Sequence, residues 1–296
     1  MKFLNKSLLV KLVGSFFLVS SVTVLVVTIT TNVRGREGLK QSVFDRLGVA
    51  NALKEYQVKQ WFQNRRSDVV LIAELSEVRD RVELLLKKKP EDPEYVQAYK
   101  NLDASLSNIV NTKKQIDRIS VLSSAGIIIF STDKNNIGKY QPLGNTTTLF
   151  NISDQQDLIK PNFYTSTESG KPMITYATSI VDRQENRLAY VAVDLNLKDI
   201  DVLIRERTGL GTSGETYLVG NLESKSAFIS GGDNTSKEQF SDVIKSKGID
   251  LALKGSDSTS LFNNYKNVPV IGIYNWIDEL NLALVAEMSQ EEAFAP

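Results

Sequence analysis

The sequence predicts an α+β protein in which one membrane-crossing helix runs on into a long helical stalk and then into two tandem domains with antiparallel sheets. Three observations carry that expectation. Leu12 to Val33 holds no charged residue, apolar residues recur at helical spacing from Leu39 to Leu85, and β-branched runs separated by turn residues come twice after Arg118.

The apolar run has the roughly 20 residues needed to cross a hydrocarbon core of about 30 Å. Lys2, Lys6 and Lys11 precede it, against Arg34 and Arg36 after it. That charge bias favours a cytoplasmic N-terminus, so the chain after about residue 34 lies outside the cytosol. A cleaved signal peptide is the alternative, and "TTNVRG" offers no small-residue cleavage site.

Leu39, Val43, Leu47, Leu53, Trp61, Val69, Ile72, Val78, Val82 and Leu85 continue as an amphipathic stripe among charged neighbours. "KKKPEDPE" ends that helix, because proline lacks an amide donor and forces extended backbone before it. A second helix is expected from Tyr95 to about Ile116, with Tyr99, Leu102, Leu106 and Ile109 on its buried side.

From Arg118 the texture becomes β. "RISVL" and "IIIFST" flank the turn "SSAG", and "PMITYATSIV" and "RLAYVAVDL" flank "DRQEN", giving two hairpins; 133–167 between them reads as loop. "NLKDIDVLIRER" reads as helix. A second unit follows with strands "ETYLVG" and "SAFIS", a helix "KEQFSDVIKSKG", and a closing hairpin of "NVPVIGIYNWI" and "LALVAEM". The two units end alike, each with an apolar strand that carries one acid, Asp194 or Glu287, ahead of a helical segment. This is a weak internal repeat of two sheet-and-helix units.

Composition excludes much chemistry. There are no histidines and no cysteines, which removes Ser-His-Asp and Cys-His nucleophiles, thiolate zinc sites and disulfides. Lys+Arg 35 balances Asp+Glu 35, so no net field draws nucleic acid. No metal or cofactor is expected, and an exported enzyme would be left with an acid-only site such as a glycosidase pair.

Gly209, Gly211 and Gly214 in "TGLGTSGETYLVG" fall in the G-x-G-x-x-G spacing of dinucleotide-binding loops. Such a loop needs a strand before it and a helix after it. Here the order is reversed, so the glycines read as a tight connection between the two units.

The phrases "KPNFYTSTESGKPMITYATSI", "AYVAVDLNLKDIDVLIRERTGLGTSGETYLVG", "YKNVPVIGIYNWI" and "LALVAEMSQEEAFAP" occur in that order. Together they resemble the extracytoplasmic double Cache sensor of bacterial transmembrane receptors. The resemblance implies two PAS-like domains and a small-molecule ligand. It further implies a helix-mediated homodimer in the bacterial inner membrane and no catalytic role for this region. It also implies a second membrane helix and a cytoplasmic output module beyond Pro296, of histidine kinase, nucleotide or diguanylate cyclase, or chemotaxis type.

The division expected is a cytoplasmic N-terminus over 1–11, a transmembrane helix over 12–33, and the stalk and second helix over 34–117. A membrane-distal domain over 118–207, a membrane-proximal domain over 208–289 and the start of an exit helix over 290–296 follow.

In such receptors the pocket lies in the distal domain, here about Asp157 to Asp194. At the family's Arg-x-Trp-Tyr run, which holds a ligand carboxylate, this chain has Lys160-Pro161-Asn162-Phe163. Lys160 is a point charge without the bidentate fork of arginine. Asn162 replaces the tryptophan, and Phe163 keeps an aromatic group. Asp194 matches the family aspartate that holds a ligand ammonium, although a local donor would equally offset its burial. Tyr164 and Tyr176 complete the candidate set. The ligand class stays open among amino acids, amines and carboxylates. A pilin-like fibre subunit is the alternative reading of an anchored helix with a β-rich head, but Val19 stands where pilins carry a glutamate.

Overall fold

The computed structural model describes residues 8–141, 162–165, 172–222, 225–232, 244 and 246–295. Helix α1 spans Leu8–Glu74, 67 residues, which at 1.5 Å per residue is about 100 Å. From Leu12 to Thr31 it is uncharged and exposed on all sides, with Phe16, Phe17, Leu18 and Leu25 uncovered. A helix apolar all round and unburied suits lipid, and the segment is long and apolar enough to cross a membrane. Further along, Val43, Leu47, Val58, Phe62, Val69 and Ile72 form a buried stripe against both sheets.

The stalk differs from the expectation of one helix running to Leu85. Leu75, with ψ of 117°, breaks it, and α2 (Ser76–Lys87) starts afresh without a side-chain cap. The break lets Val78, Val82 and Leu85 turn into the core that α3 (Pro93–Thr112) covers with Ala98, Leu102 and Leu106. Helix α3 starts two residues before the expected Tyr95. Pro93 needs no amide partner in the first turn, and Asp92 caps it by accepting from the Glu94 amide. It ends at Thr112, because Ile116 already belongs to a strand.

The first sheet is antiparallel and five-stranded, in the order β2-β1-β5-β4-β3. Its strands are β1 (Ile116–Leu122), β2 (Ile128–Ser131), β3 (Asn162–Thr165), β4 (Pro172–Val181) and β5 (Arg187–Leu195). Part of the expected 133–167 loop is therefore structured: a 3-10 turn at Lys134–Asn136 and the edge strand β3 lie within it. Helix α4 (Lys198–Arg205) then leads to the second sheet.

That sheet repeats the first, in the order β7-β6-β10-β9-β8. It contains β6 (Glu215–Leu222), β7 (Lys225–Gly231), β8 (Ser258–Asn263), β9 (Pro269–Ile277) and β10 (Leu282–Ser289). Strand β8 falls where no strand was expected. The helix expected over "KEQFSDVIKSKG" is described only at its C-terminal end, where Ile244 and Ser246 are not helical and 245 lies outside the described residues. Helical backbone starts at Lys247, where the extended Ser246 caps α5 (Lys247–Ala252) by accepting from the Ile249 amide. Residues 237–243 lie outside the described residues. Helix α6 (Gln290–Ala293) follows β10 as α4 follows β5, so the repeat seen in the sequence is a repeat of topology.

Each sheet turns one face to α1. In the first, Ile119, Val121, Ile174, Val191 and Val193 join Phe62 in the main core. In the second, Leu218, Leu282 and Leu284 do the same, while Tyr217, Val219, Val285 and Phe228 form a separate cluster on the far face.

Candidate functional site

Side chains alternate across a strand, so the residues between those core positions lie on the face turned away from α1. On the first sheet this face carries a polar row across three strands, and the register continues it to Asn162 of β3. Arg118 pairs with Asp194, Asp194 with Thr175, and Thr175 with Asn162. Beside it runs a row of small residues, with Ser120 paired to Ala192 and Ala192 to Ala177.

Asp194 is the centre of the polar row and is 1% exposed. Arg118 donates to its Oδ2 from Nε at 2.7 Å and Nη2 at 2.6 Å, and the Thr175 hydroxyl donates to Oδ1. Burial pushes the carboxyl pKa up, and the Arg118 charge and the Thr175 hydrogen bond oppose it. Of the two ways to offset burial, the local donor is therefore built into the fold. Sequence reading missed Arg118; its position across from Asp194 was legible only once β1 and β5 were paired in register.

The structure does not bring all the candidate residues together. Tyr176 and Phe163 lie on the α1 face. The Tyr176 hydroxyl donates to the Phe62 carbonyl at 3.4 Å, and the Phe163 ring meets Phe62 edge-on at 6.0 Å between centroids. Burial pushes the Tyr176 hydroxyl pKa up. The sheet thus separates both from Asp194. Asn162 and Tyr164 take register positions on β3, opposite Thr175 and Met173. Lys160 lies outside the described residues.

Helix α4 ties this sheet to the rest of the molecule. Lys54 of α1, almost fully buried, donates to the carbonyls of Leu203 and Ile204 at 2.7 and 3.2 Å. It thereby caps the negative end of α4. Burial lowers its pKa, and Glu206 partly restores it. Asp201 of α4 accepts from the Ser230 hydroxyl at 3.0 Å and the Gly231 amide at 3.1 Å, both on β7.

The glycine-rich loop turns out to be an anion cradle that the chain fills itself. Gly209 and Gly211 have φ of 81° and 73°, so the loop turns as tightly as expected. The amides of Thr212 and Ser213 point at Glu292 of α6, donating at 2.8 and 2.6 Å, and the Ser213 hydroxyl adds a third bond. These donors, the hydroxyl first, hold the Glu292 carboxyl down to about 2. A carboxylate of α6 thus sits where a phosphate would in a nucleotide site. The connection also meets α1, where Leu210 packs with Val43, Leu47, Met288 and Ala293.

Comparison with known proteins agrees with this architecture. The family model described as "Cache domain" matches residues 26–296. The sensor domain of the histidine kinase DctB from V. cholerae superposes with a TM-score of 0.60 at 13% identity, covering 84% of this chain and 98% of that one. The ligand-binding domain of the Campylobacter jejuni chemoreceptor Tlp3, in complex with 4-methylisoleucine, gives 0.57 at 13% identity, with 87% and 95% covered. The periplasmic domain of RsbU from Chlamydia trachomatis gives 0.55 at 15% identity, with 89% and 98% covered. Among curated protein sequences nothing matches. With its long helix, its two sheets of one topology and a family match over nearly all of its length, the chain belongs to the Cache domain family of sensor domains.

Proposed function

We propose that this chain is the extracytoplasmic sensing region of a bacterial transmembrane receptor. A small molecule binds the first sheet on the face away from α1, and its binding shifts α6 relative to α1. The observation that carries this reading is the polar row in which Asp194 and Thr175 are buried and the half-buried Arg118 pairs with Asp194, with Asn162 at the next register position, continued through β5 into α4. A charged pair and a hydroxyl beside a floor of small residues form a polar recognition surface, where an apolar core would be the cheaper way to fill the space.

In this reading 118–207 is the membrane-distal domain and 208–289 the membrane-proximal one. Asp194 and Asn162 belong to the binding face, with Lys160 and Tyr164 contributed by the same segment. Phe163 and Tyr176 support the sheet from behind. The ligand is an amino acid, an amine or a carboxylate, and the Tlp3 complex with 4-methylisoleucine supports that range. Helix α1 anchors the region in the plasma membrane, and the chain itself is non-catalytic, serving a cytoplasmic output module. Val49, Leu53 and Tyr56, 73%, 56% and 62% exposed, follow one another at coiled-coil spacing on the outer side of α1. That stripe supports pairing with a second copy. The pilin-like alternative finds no support in two five-stranded sheets of repeated topology.

The test is thermal melting of the 296-residue chain in detergent micelles against amino acids, amines and carboxylates at millimolar concentration. A ligand at about 100 times its Kd stabilises by about 2.7 kcal/mol, or roughly 5 to 10 °C here. The shift is expected to disappear in Asp194→Asn. No shift with any compound overturns direct sensing.

A further inference from the structure

The repeat places Glu287 in the second sheet where Asp194 stands in the first. Asp194 pairs across the ladder with Arg118; Glu287 pairs with Glu215. On the other side Thr175 is replaced by Gly272, which leaves no side chain there to bond the acid. Glu287 is 1% exposed, and among the described residues neither it nor Glu215 makes an ion pair. Its two oxygens take one donor each, the Tyr217 hydroxyl at 2.7 Å and the Asn264 side-chain amide at 2.6 Å. Tyr265 donates to Glu215 at 3.3 Å.

We propose that the second sheet is a proton-sensing site, in which Glu215 facing the buried Glu287 across the ladder keeps a proton on Glu287 whose loss displaces the end of β10 together with α6. Directly opposed residues on neighbouring strands have Cβ atoms about 5 Å apart. Glu287 is buried and Glu215 half-buried, and two carboxylates at that separation do not both ionise cheaply. Burial, with repulsion from Glu215 added and the Tyr217 and Asn264 donors opposing, pushes Glu287 up to about 7.

Among the described residues, the charged and titratable groups around this pair are few. Strand β6 contributes Glu215 and Tyr217, and β9 contributes the buried Tyr274. In the turn after β8, Lys266 lies over the Tyr265 ring, its nitrogen 5.2 Å from the centroid. Lys247 and Asp250 of α5 and Glu291 of α6 are exposed, and Glu292 is held by the glycine-rich loop. On the opposite face the Arg46 guanidinium meets the sulfur of Met288.

The readout is two residues away. Met288 is buried with Val43 and Leu47 of α1, and the hydroxyl of Ser289 caps α6 by accepting from the Glu292 amide at 3.2 Å. A movement that relieves a charged Glu287 therefore reaches both helices at the membrane side of the sheet.

The experiment uses the 296-residue chain in detergent micelles, with carbon-13 in glutamate carboxyls and a titration from about pH 5 to about pH 8. One resonance is expected to titrate near neutrality. It should be absent in Glu287→Gln and move toward acid by about one unit in Glu215→Gln, where the repelling charge is gone. Because the chain has no cysteine, Glu37→Cys and Ala295→Cys carry spin labels without background. The distance between them is expected to change with the same midpoint, and to be pH-independent in Glu287→Gln. If that variant fails to fold, the wild type and Glu215→Gln decide alone. A Glu287 resonance in the ordinary carboxylate range, or a distance that ignores its titration, overturns the proposal. Neither readout involves a ligand, so the result stands apart from sensing on the first sheet.

Discussion

Asp194 and Glu287 occupy the same place in their two sheets and meet opposite partners, so removing the charge has opposite effects at the two positions. Asp194→Asn leaves the half-buried Arg118 beside a neutral group, and because solvent reaches that arginine the loss falls below the cost of a fully buried pair, at about 2 to 3 kcal/mol. Urea unfolding at neutral pH reads this as a lower midpoint. Glu287→Gln removes a burden. The folded pKa is raised from 4.5 to about 7, so the neutral acid contributes fully below about pH 4.5, and that contribution is lost as pH rises through about 7. The wild type is expected to lose about 3 kcal/mol across that window, and the glutamine variant to lose far less, by melting at each pH. Glu292 runs the other way. Its pKa falls from 4.5 to about 2, so its contribution is present above about pH 4.5 and lost as pH drops toward 2. Solvent screens this group, and Glu292→Gln is expected to cost about 1 kcal/mol at neutral pH, or 2 to 4 °C of melting temperature.

At the scale of elements, α4 is the piece that joins the first sheet to everything else. Lys54 caps its C-terminus, Asp201 fixes it to β7, and β5 enters it directly. Lys54→Met keeps the apolar stem in place and removes the cap. Hydrogen exchange at the amides of α4 is then expected to speed up by about 5- to 10-fold, the equivalent of about 1 kcal/mol, while β4 and β5 stay protected. The elements also show what the sequence could tell. Strands with β-branched runs, such as β5 and β10, were legible because their period and bounding turns are local signals. Strand β3 was not, since "NFYT" is four residues at a sheet edge and its pairing with β4 is decided in three dimensions. Strand β8, "STSLFN", is masked by its serines and asparagine, and only its ladder with β9 makes it a strand. The break at Leu75 left no glycine or proline to read, because packing of α2 on α3 imposes it.

At the scale of the whole molecule, the order of parts was readable and the partners were not. An apolar span, a helical stripe and a twice-used strand pattern specify the architecture locally. Arg118 beside Asp194, and Glu292 in the glycine-rich loop 79 and 80 residues from its donors, come from register and closure. The helix-before, strand-after order around the glycines was legible in the sequence; that an internal carboxylate occupies the cradle needed the fold. Together these contacts make one path, from the polar row through β5 and α4 to the glycine-rich loop, where α1 and α6 meet.

The path begins at the first sheet's outer face, and hydrogen–deuterium exchange on the full chain tests that origin most directly. The compound giving the largest melting shift is expected to slow exchange at β4, β5 and α4, and to change it at α6. Protection confined to the second sheet, or a change at α6 with none on β4 and β5, would contradict the account.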